Sequence, residues 1–412
     1  MLRYWKPVVF VPLILLTIGI YYANASAGNP VYVLHPLMGD TKEAAPVAIR
    51  AYSEEGDVHI SASGSKYSSD KPLWEVILNG RYPSYMNETW KKLIQENRSF
   101  MRGVSSLHGI YEDANRLGYA EIKSEPVRGA GMREGNQFRC YIASRDKHAA
   151  KKTSFEVSIP SEAFFHDINL IDVQMDVQSG GQTMSLLTSN YQRTEGRGTH
   201  TEIHLYRVDL GSKQLMDDRI LLSSDEQERT SIQVNHLSAI DPTKPSRYAA
   251  FEKRHSTIDS TTGLLVSDYR ELFVYDLQTS VLEQVSAEPM AGLLKGTAEI
   301  SLSSSDEEIF LTSWADGLAP RVLRYNIQQK KVTHDLPVSL AGLPLPADAI
   351  LHYGFITNNR LYMLLNADMP TTAPPGVAIA ELEQGKIVYE GAVSSEDDVG
   401  LRHVRASEII VQ

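Results

Sequence analysis

The residues best placed for chemistry in this 412-residue chain lie in one short run, His200-Thr-Glu-Ile-His204. Successive side chains of a strand alternate between faces, so His200, Glu202 and His204 would project together. Imidazole and carboxylate are ligand types that zinc accepts, which makes these three the expected metal site. Trp314, in Ser313-Trp-Ala-Asp-Gly317, is the expected ligand-binding aromatic. It reads as part of a loop between two strands, where binding residues concentrate. Ser63-Gly-Ser-Lys66 matches the S-x-x-K nucleophile pattern, but it falls in a polar turn without the S-D-N and K-T-G companions. There is no G-x-S-x-G, Walker loop or H-E-x-x-H. The acidic groups at Glu54/Glu55/Asp57, Asp306/Glu307/Glu308 and Glu396/Asp397/Asp398 lack the spacing of a calcium loop. No cofactor is expected.

The N-terminus fixes the compartment. Arg3 and Lys6 precede an apolar run from Val8 to Tyr22, and no charged residue follows until Asp40. A basic start, an apolar stretch and then small residues form the layout of an export signal. Trp5 and Tyr21-Tyr22 bracket the run as interfacial aromatics do. Residues 1–27 therefore read as a single-pass anchor with the N-terminus inside. The alternative is a secretory peptide cleaved near Ala25 or Ala27, because the run is shorter than the roughly 20 residues a bilayer needs. Residues 28–412 read as an extracytoplasmic domain. Net charge is -11, and setting aside the cations Arg3 and Lys6 leaves -13 outside. Such a surface repels phosphate backbones and anionic head groups, which excludes nucleic acid as a partner. The single cysteine, Cys140, precludes an intramolecular disulfide and sits in an alternating run, Phe138–Ile142, as a core residue. Export without disulfides suits a bacterial envelope.

The elements that must position these residues are mostly short strands. One helix is expected over Ser84–Arg98, where Met86, Trp90, Leu93 and Ile94 share a face. A second helical stretch is expected over Tyr111–Leu117, so an insertion of about 84–118 interrupts the strands. The second half carries a degenerate repeat. Leu205–Leu215, Phe273–Leu282, Leu323–Val332 and Ile379–Ile387 each hold an apolar strand, a polar residue, one apolar residue, a polar turn and another strand. The polar residues are Asp209, Asp276, Asn326 and Glu381, at separations of 67, 50 and 55. Another strand precedes each hairpin: Met184–Leu187, Tyr248–Phe251, Ile309–Thr312 and Leu361–Leu365. These strands are apolar on both faces, as in a sheet packed between two others.

The strand–Tyr275-Asp276-Leu277–turn–strand pattern resembles the blades of bacterial extracytoplasmic β-propellers of the TolB-like or quinoprotein-like kind, over about 180–393. The resemblance implies an all-β, propeller-like domain of six to eight blades. Residues 45–80 and 138–159 read as divergent blades. The strand Ser407–Val411 is expected to close the ring, paired with Tyr32-Val-Leu34 in one blade. The function expected first is a non-catalytic binding or scaffold protein of the cell envelope, with a protein, peptide or wall polymer as ligand and the N-terminal helix as membrane contact. A hydrolase or lyase acting on glycan or peptide is the alternative, as is an accessory sensor working through a membrane partner.

Overall fold

The computed structural model describes residues 29–70, 88–104, 108–126, 136–148, 152–160, 165–175, 182–193, 199–224, 230–237, 247–259, 262, 264–286, 288–291, 294, 299–302, 307–315, 319–340, 343, 351–365, 374–395 and 404–411. The apolar run 8–22 and the acidic cluster Glu396/Asp397/Asp398 lie outside them. Among the described residues no helix is long and apolar enough to cross a membrane.

The described residues form six antiparallel sheets, taken up nearly in sequence order. It enters through β1 (Tyr32–Gly39) and the short helix α1 (Thr41–Ala44). Sheet 1 then holds β2 (Val47–Ser53), β3 (Gly56–Ser61) and β4 (Gly64–Tyr67). Helices α2 (Glu88–Glu96) and α3 (Arg98–Met101) follow. Sheet 2 is β5 (Ile110–Glu112), β6 (Arg116–Pro126), β7 (Asn136–Asp146) and β8 (Lys152–Ile159). Sheet 3 is β9 (Asp167–Met175), β10 (Thr183–Arg193), β11 (Thr199–Asp209) and β12 (Gln214–Ser223). Sheet 4 is β13 (Thr230–His236), β14 (Tyr248–Ile258), β15 (Leu265–Asp276) and β16 (Val281–Val285). Sheet 5 is β17 (Glu299–Leu302), β18 (Glu308–Ala315), β19 (Ala319–Asn326) and β20 (Lys331–Pro337). Sheet 6 is β21 (Leu351–Thr357), β22 (Arg360–Leu365), β23 (Gly376–Glu381) and β24 (Lys386–Ser395). The last strand, β25 (Arg405–Val411), returns to sheet 1. This is an all-β, propeller-like array.

Apolar contact runs from sheet to sheet because the inner strands, such as β22 and β23, bury side chains on both faces. Met184 and Tyr206 meet Phe138 and Ile142 between sheets 3 and 2. Leu205 and Ile203 meet Phe251 and Tyr275 between sheets 3 and 4. Leu272 packs with Ile309 and Leu323 between sheets 4 and 5, and Phe310 with Met363 between sheets 5 and 6. Among the described residues no apolar cluster joins sheets 1 and 2. There Leu93, Phe100 and Met101 of the helices cover Ile110, Leu117, Tyr119 and Ala143 of sheet 2. The helical insertion thus occupies the face that a neighbouring blade covers elsewhere.

Two expectations are corrected here. The stretch Tyr111–Leu117 is not helical but a strand, a turn and a strand. Asp113 Oδ1 accepts the backbone N–H groups of Asn115 and Arg116, both at 2.7 Å, and a side chain used this way competes with helix formation. The terminal strands also do not pair with each other. Strand β25 joins β2 in sheet 1, while β1 joins β24 in sheet 6. Closure therefore uses two latches in adjacent sheets. The latches are stitched together. Tyr32 N–H donates to Ser65 Oγ at 3.0 Å, and Tyr67 Oη donates to the Pro30 carbonyl at 2.9 Å. The Arg360 guanidinium of β22 grips Glu43 of α1 through both carboxylate oxygens, at 3.0 and 3.1 Å.

The four repeats expected from sequence share one turn. In three of them the polar side chain accepts backbone N–H groups two or three positions on: Ser212 for Asp209, Gln278 and Thr279 for Asp276, Gln329 for Asn326. The residue four positions on has a positive φ in every case: Lys213 at 61°, Ser280 at 60°, Lys330 at 52° and Gly385 at 66°. The intervening apolar residue, Leu210, Leu277, Ile327 or Leu382, donates its N–H back to the start of the preceding strand, at Gln182, Arg247, Glu307 or Asn359.

Two stability measurements follow. Ile409 of β25 is buried in the contact between sheets 6 and 1. Ile409→Ala is expected to cost about 2–4 kcal/mol in urea unfolding, as for a large-to-small change in a core. Lys213 is exposed, and only its backbone is strained. Lys213→Gly is expected to add roughly 0.5–1 kcal/mol by relieving the left-handed conformation, measured the same way.

Candidate functional site

Sheet 3 concentrates the buried polar groups. His200, Glu202, His204 and Tyr206 alternate onto one face of β11, in register with Gln192, Asn190, Thr188 and Leu186 of β10. The three expected ligands are brought together, and they bond one another. The Glu202 carboxylate accepts from His200 Nε2 at 3.0 Å and from His204 Nε2 at 2.8 Å. His204 Nδ1 donates to Asp218 at 2.7 Å, and His200 Nδ1 to the Ser224 carbonyl at 2.5 Å. Every ring nitrogen of the pair is directed at an oxygen instead of a shared point. Among the described residues no group of three or more His, Cys, Asp or Glu side chains is arranged to hold a metal ion. The three residues expected as zinc ligands form a chain of hydrogen bonds with one another and with Asp218 and Ser224.

The charges in this chain sustain each other. Burial works to push the His204 pKa down, but the bonds to Asp218 and Glu202 outweigh it and raise it overall. With carboxylates on both nitrogens, the imidazolium form of His204 is favoured. Burial works to raise Glu202, but His204 and His200 hold it below the usual carboxylate value. His204 stacks on Tyr206 with centroids 5.4 Å apart and meets the edge of Phe165 at 5.6 Å. Tyr206 Oη accepts from Asn190 Nδ2 at 2.8 Å, and Asn190 Oδ1 accepts from Thr188 Oγ1 at 2.7 Å. Sequence reasoning missed Asp218, Ser224, Asn190 and Tyr206. One signal was present: the polar run Thr188-Ser189-Asn190 directly after the apolar pair Leu186-Leu187.

A second feature is a cleft of about 630 Å³ between sheets 4 and 5. Tyr248 and Tyr325 line it, together with Arg247, Asp276, Glu283 and Lys330. The Arg247 guanidinium lies 4.9 Å over the Tyr248 ring and pairs with Asp276 at 3.1 Å. Lys330, the positive-φ residue of its turn, crosses from sheet 5 to Glu283 of sheet 4 at 2.6 Å. Burial tends to raise Asp276, but the Thr279 and Gln278 N–H groups and Arg247 together lower it. Both carboxylates of this cleft are thus paired with adjacent cations.

The remaining sequence candidates stay apart from these sites. Trp314 is a strand residue rather than a loop residue, opposite Pro320 in the ladder of β18 and β19. Ser63 lies at the tip of the β3–β4 hairpin and accompanies Ser61 at 2.9 Å, with Lys66 exposed on β4. The Cys140 thiol is buried and pushed up to about 12 by that burial, which leaves it a core group.

No protein-family model matches this chain, and no curated protein matches it. Solved structures similar to it include TolB from Acinetobacter baumannii, with 12% identity, 67% of this chain and 68% of that chain covered, and a TM-score of 0.22. Also similar is the β-propeller domain of the Trilobed protease from Pyrococcus furiosus, at 8% identity, covering 66% of this chain and 80% of that one, TM-score 0.24. Porphyromonas gingivalis dipeptidyl peptidase 4 is a third, at 11% identity, covering 70% of this chain, TM-score 0.34. The chain spans 36% of that peptidase's length. The propeller-like assignment stands on this chain's own strand order.

The imidazolium chain has a pH signature. The raised His204 stabilises the fold fully below its ordinary value of 6.5, and this is lost as pH rises through the folded value. The lowered Glu202 stabilises above 4.5, and this is lost as pH falls through the folded value. The melting temperature of His204→Gln is therefore expected to fall furthest below the parent between pH 4.5 and 6.5, and the gap to narrow above that. A gap independent of pH would count against the imidazolium.

Proposed function

We propose that this chain is a binding or scaffold protein of the cell envelope, non-catalytic, displayed outside the cytoplasm by its N-terminal segment. The observation that carries this reading is the position of β1. The export-type run ends at Tyr22, and by Tyr32 the chain is already a strand of sheet 6. Anchor and array are then separated only by residues 23–31, which suits a platform held close to a membrane.

The cleft between sheets 4 and 5 supports binding over chemistry. Its aromatic walls and alternating charges suit a polar polymer or peptide, as apolar-walled sites with a few placed polar groups do. Asp276 and Glu283 are spent on Arg247 and Lys330, whereas glycoside hydrolysis needs one carboxyl kept protonated beside another.

The test uses intact cells carrying a photo-crosslinking side chain at Gln328, an exposed residue lining the cleft. A defined crosslinked species in the membrane fraction, with the N-terminal segment retained, is the expected outcome. No crosslinked species, or recovery of the chain in the medium starting at residue 26 or 28, would overturn it.

A further inference from the structure

The third strand of each sheet is covered by a fourth, with one exception. Strand β11 is paired with β12 from Glu202, β7 with β8 from Phe138, and β19 with β20 from Arg321. Each of these lies within the first few residues of its strand. Strand β15 starts at Leu265, yet β16 covers it only from Leu272 to Asp276. Among the described residues Leu265–Glu271 is therefore an open edge, although β14 continues beside it as far as Ile258. Its side chains face solvent: Leu265 is 56% exposed, Val266 65% and Tyr269 43%. Leu264 at the hairpin tip is 67% exposed. An uncovered edge is a template for another strand; the ladder to β14 is irregular at Val266, so the regular part of this edge runs from Ser267 to Glu271.

Here the charged residues are turned back into the hairpin. Arg254 binds Asp268 through two hydrogen bonds, at 2.9 and 2.6 Å. Arg270 lies 3.5 Å from Glu252, and His255 bonds Glu271 at 2.8 Å. Tyr269 is held flat against His255, with centroids 4.4 Å apart and planes 4° from parallel. The edge is thus firm, with its aromatic ring fixed in place.

We propose that this edge is a self-association site, pairing antiparallel with β15 of a second copy about Tyr269. In that register Tyr269 faces Tyr269, Asp268 faces Arg270 and Ser267 faces Glu271. An isologous contact must be self-complementary, and this one is. Aromatic pairs directly across strands stabilise a ladder, and in this register no like charges face each other. A register shifted by one residue, centred on Asp268, would set two aspartates against each other. The local charge also permits approach. From Glu252 to Glu271 the chain carries Lys253, Arg254 and Arg270 against Glu252, Asp259, Asp268 and Glu271, near balance in a protein of net charge -11. The proposal is independent of the cleft and of the envelope reading.

The test is sedimentation of the full chain in detergent, with cysteine variants oxidised in parallel. Cys140 is buried and does not interfere. A reversible dimer is expected. Tyr269→Cys is expected to form a covalent dimer, since residues directly opposite across a ladder lie within disulfide reach. Ser267→Cys is expected not to. Tyr269→Lys is expected to weaken association by roughly tenfold or more, with an unchanged thermal melt. Val266→Lys repeats the experiment if the Tyr269→Lys melt changes. A monomer at every concentration, equal crosslinking at positions 267 and 269, or lysine variants that melt normally and dimerise like the parent would each overturn the proposal.

Discussion

A single recurring turn links sheets 3 to 6 to one another, and the order of that half of the array depends on it. A polar side chain ties down the N–H groups ahead of it, and a residue at positive φ reverses the chain. In sheets 4, 5 and 6 that positive-φ residue also reaches back to the sheet before. Ser280 receives Arg207 through its hydroxyl and Arg219 through its carbonyl. Lys330 pairs with Glu283. The Gly385 carbonyl accepts from Ser339 N–H at 3.0 Å. A local conformational requirement thus doubles as an inter-sheet contact. Only Gly385 takes that conformation without a steric cost, and there an added Cβ would lie 2.5 Å from the Pro337 carbonyl.

Closing such an array is a long-range problem. The two ends of the chain solve it in adjacent sheets, β1 by covering β24 and β25 by flanking β2. Long-range pairings repay the entropy of closing a large loop only once all of them form. The Arg360–Glu43 grip and the Tyr32–Tyr67 contact at 6.4 Å bind the latches to each other. Opposite them, between sheets 1 and 2, α2 and α3 replace sheet-to-sheet contact. The array is continuous in apolar contact except at this wedge, among the described residues.

The imidazolium chain of sheet 3 follows the same economy. Buried ions are tolerated only when paired and hydrogen-bonded, so His204 needs Asp218 and Glu202 together. The β-hairpin supplies this: β12 returns antiparallel to β11 and sets Asp218 in register with Tyr206, one strand across. Burial and ionisation, opposed for an isolated group, are reconciled by the ladder.

Local features were legible in the amino-acid order. The four hairpins, the strands before them and the shared face of His200, Glu202 and His204 follow from strand alternation and turn chemistry, which act within a few residues. The helix with Leu93 and Ile94 on one face was legible for the same reason. The stretch at 111–117 was not, because Asp113 diverts a helical pattern into a turn. Contacts between distant residues were invisible in the sequence: the partnership of His204 with Asp218, the separate latches, the strand setting of Trp314 and the open edge of β15. Each depends on which strand lies beside which, and that is decided by burial summed over all six sheets. The charge state of His204 belongs to the same class. A histidine's neighbours, not its place in the chain, determine whether it binds a metal or carries a proton.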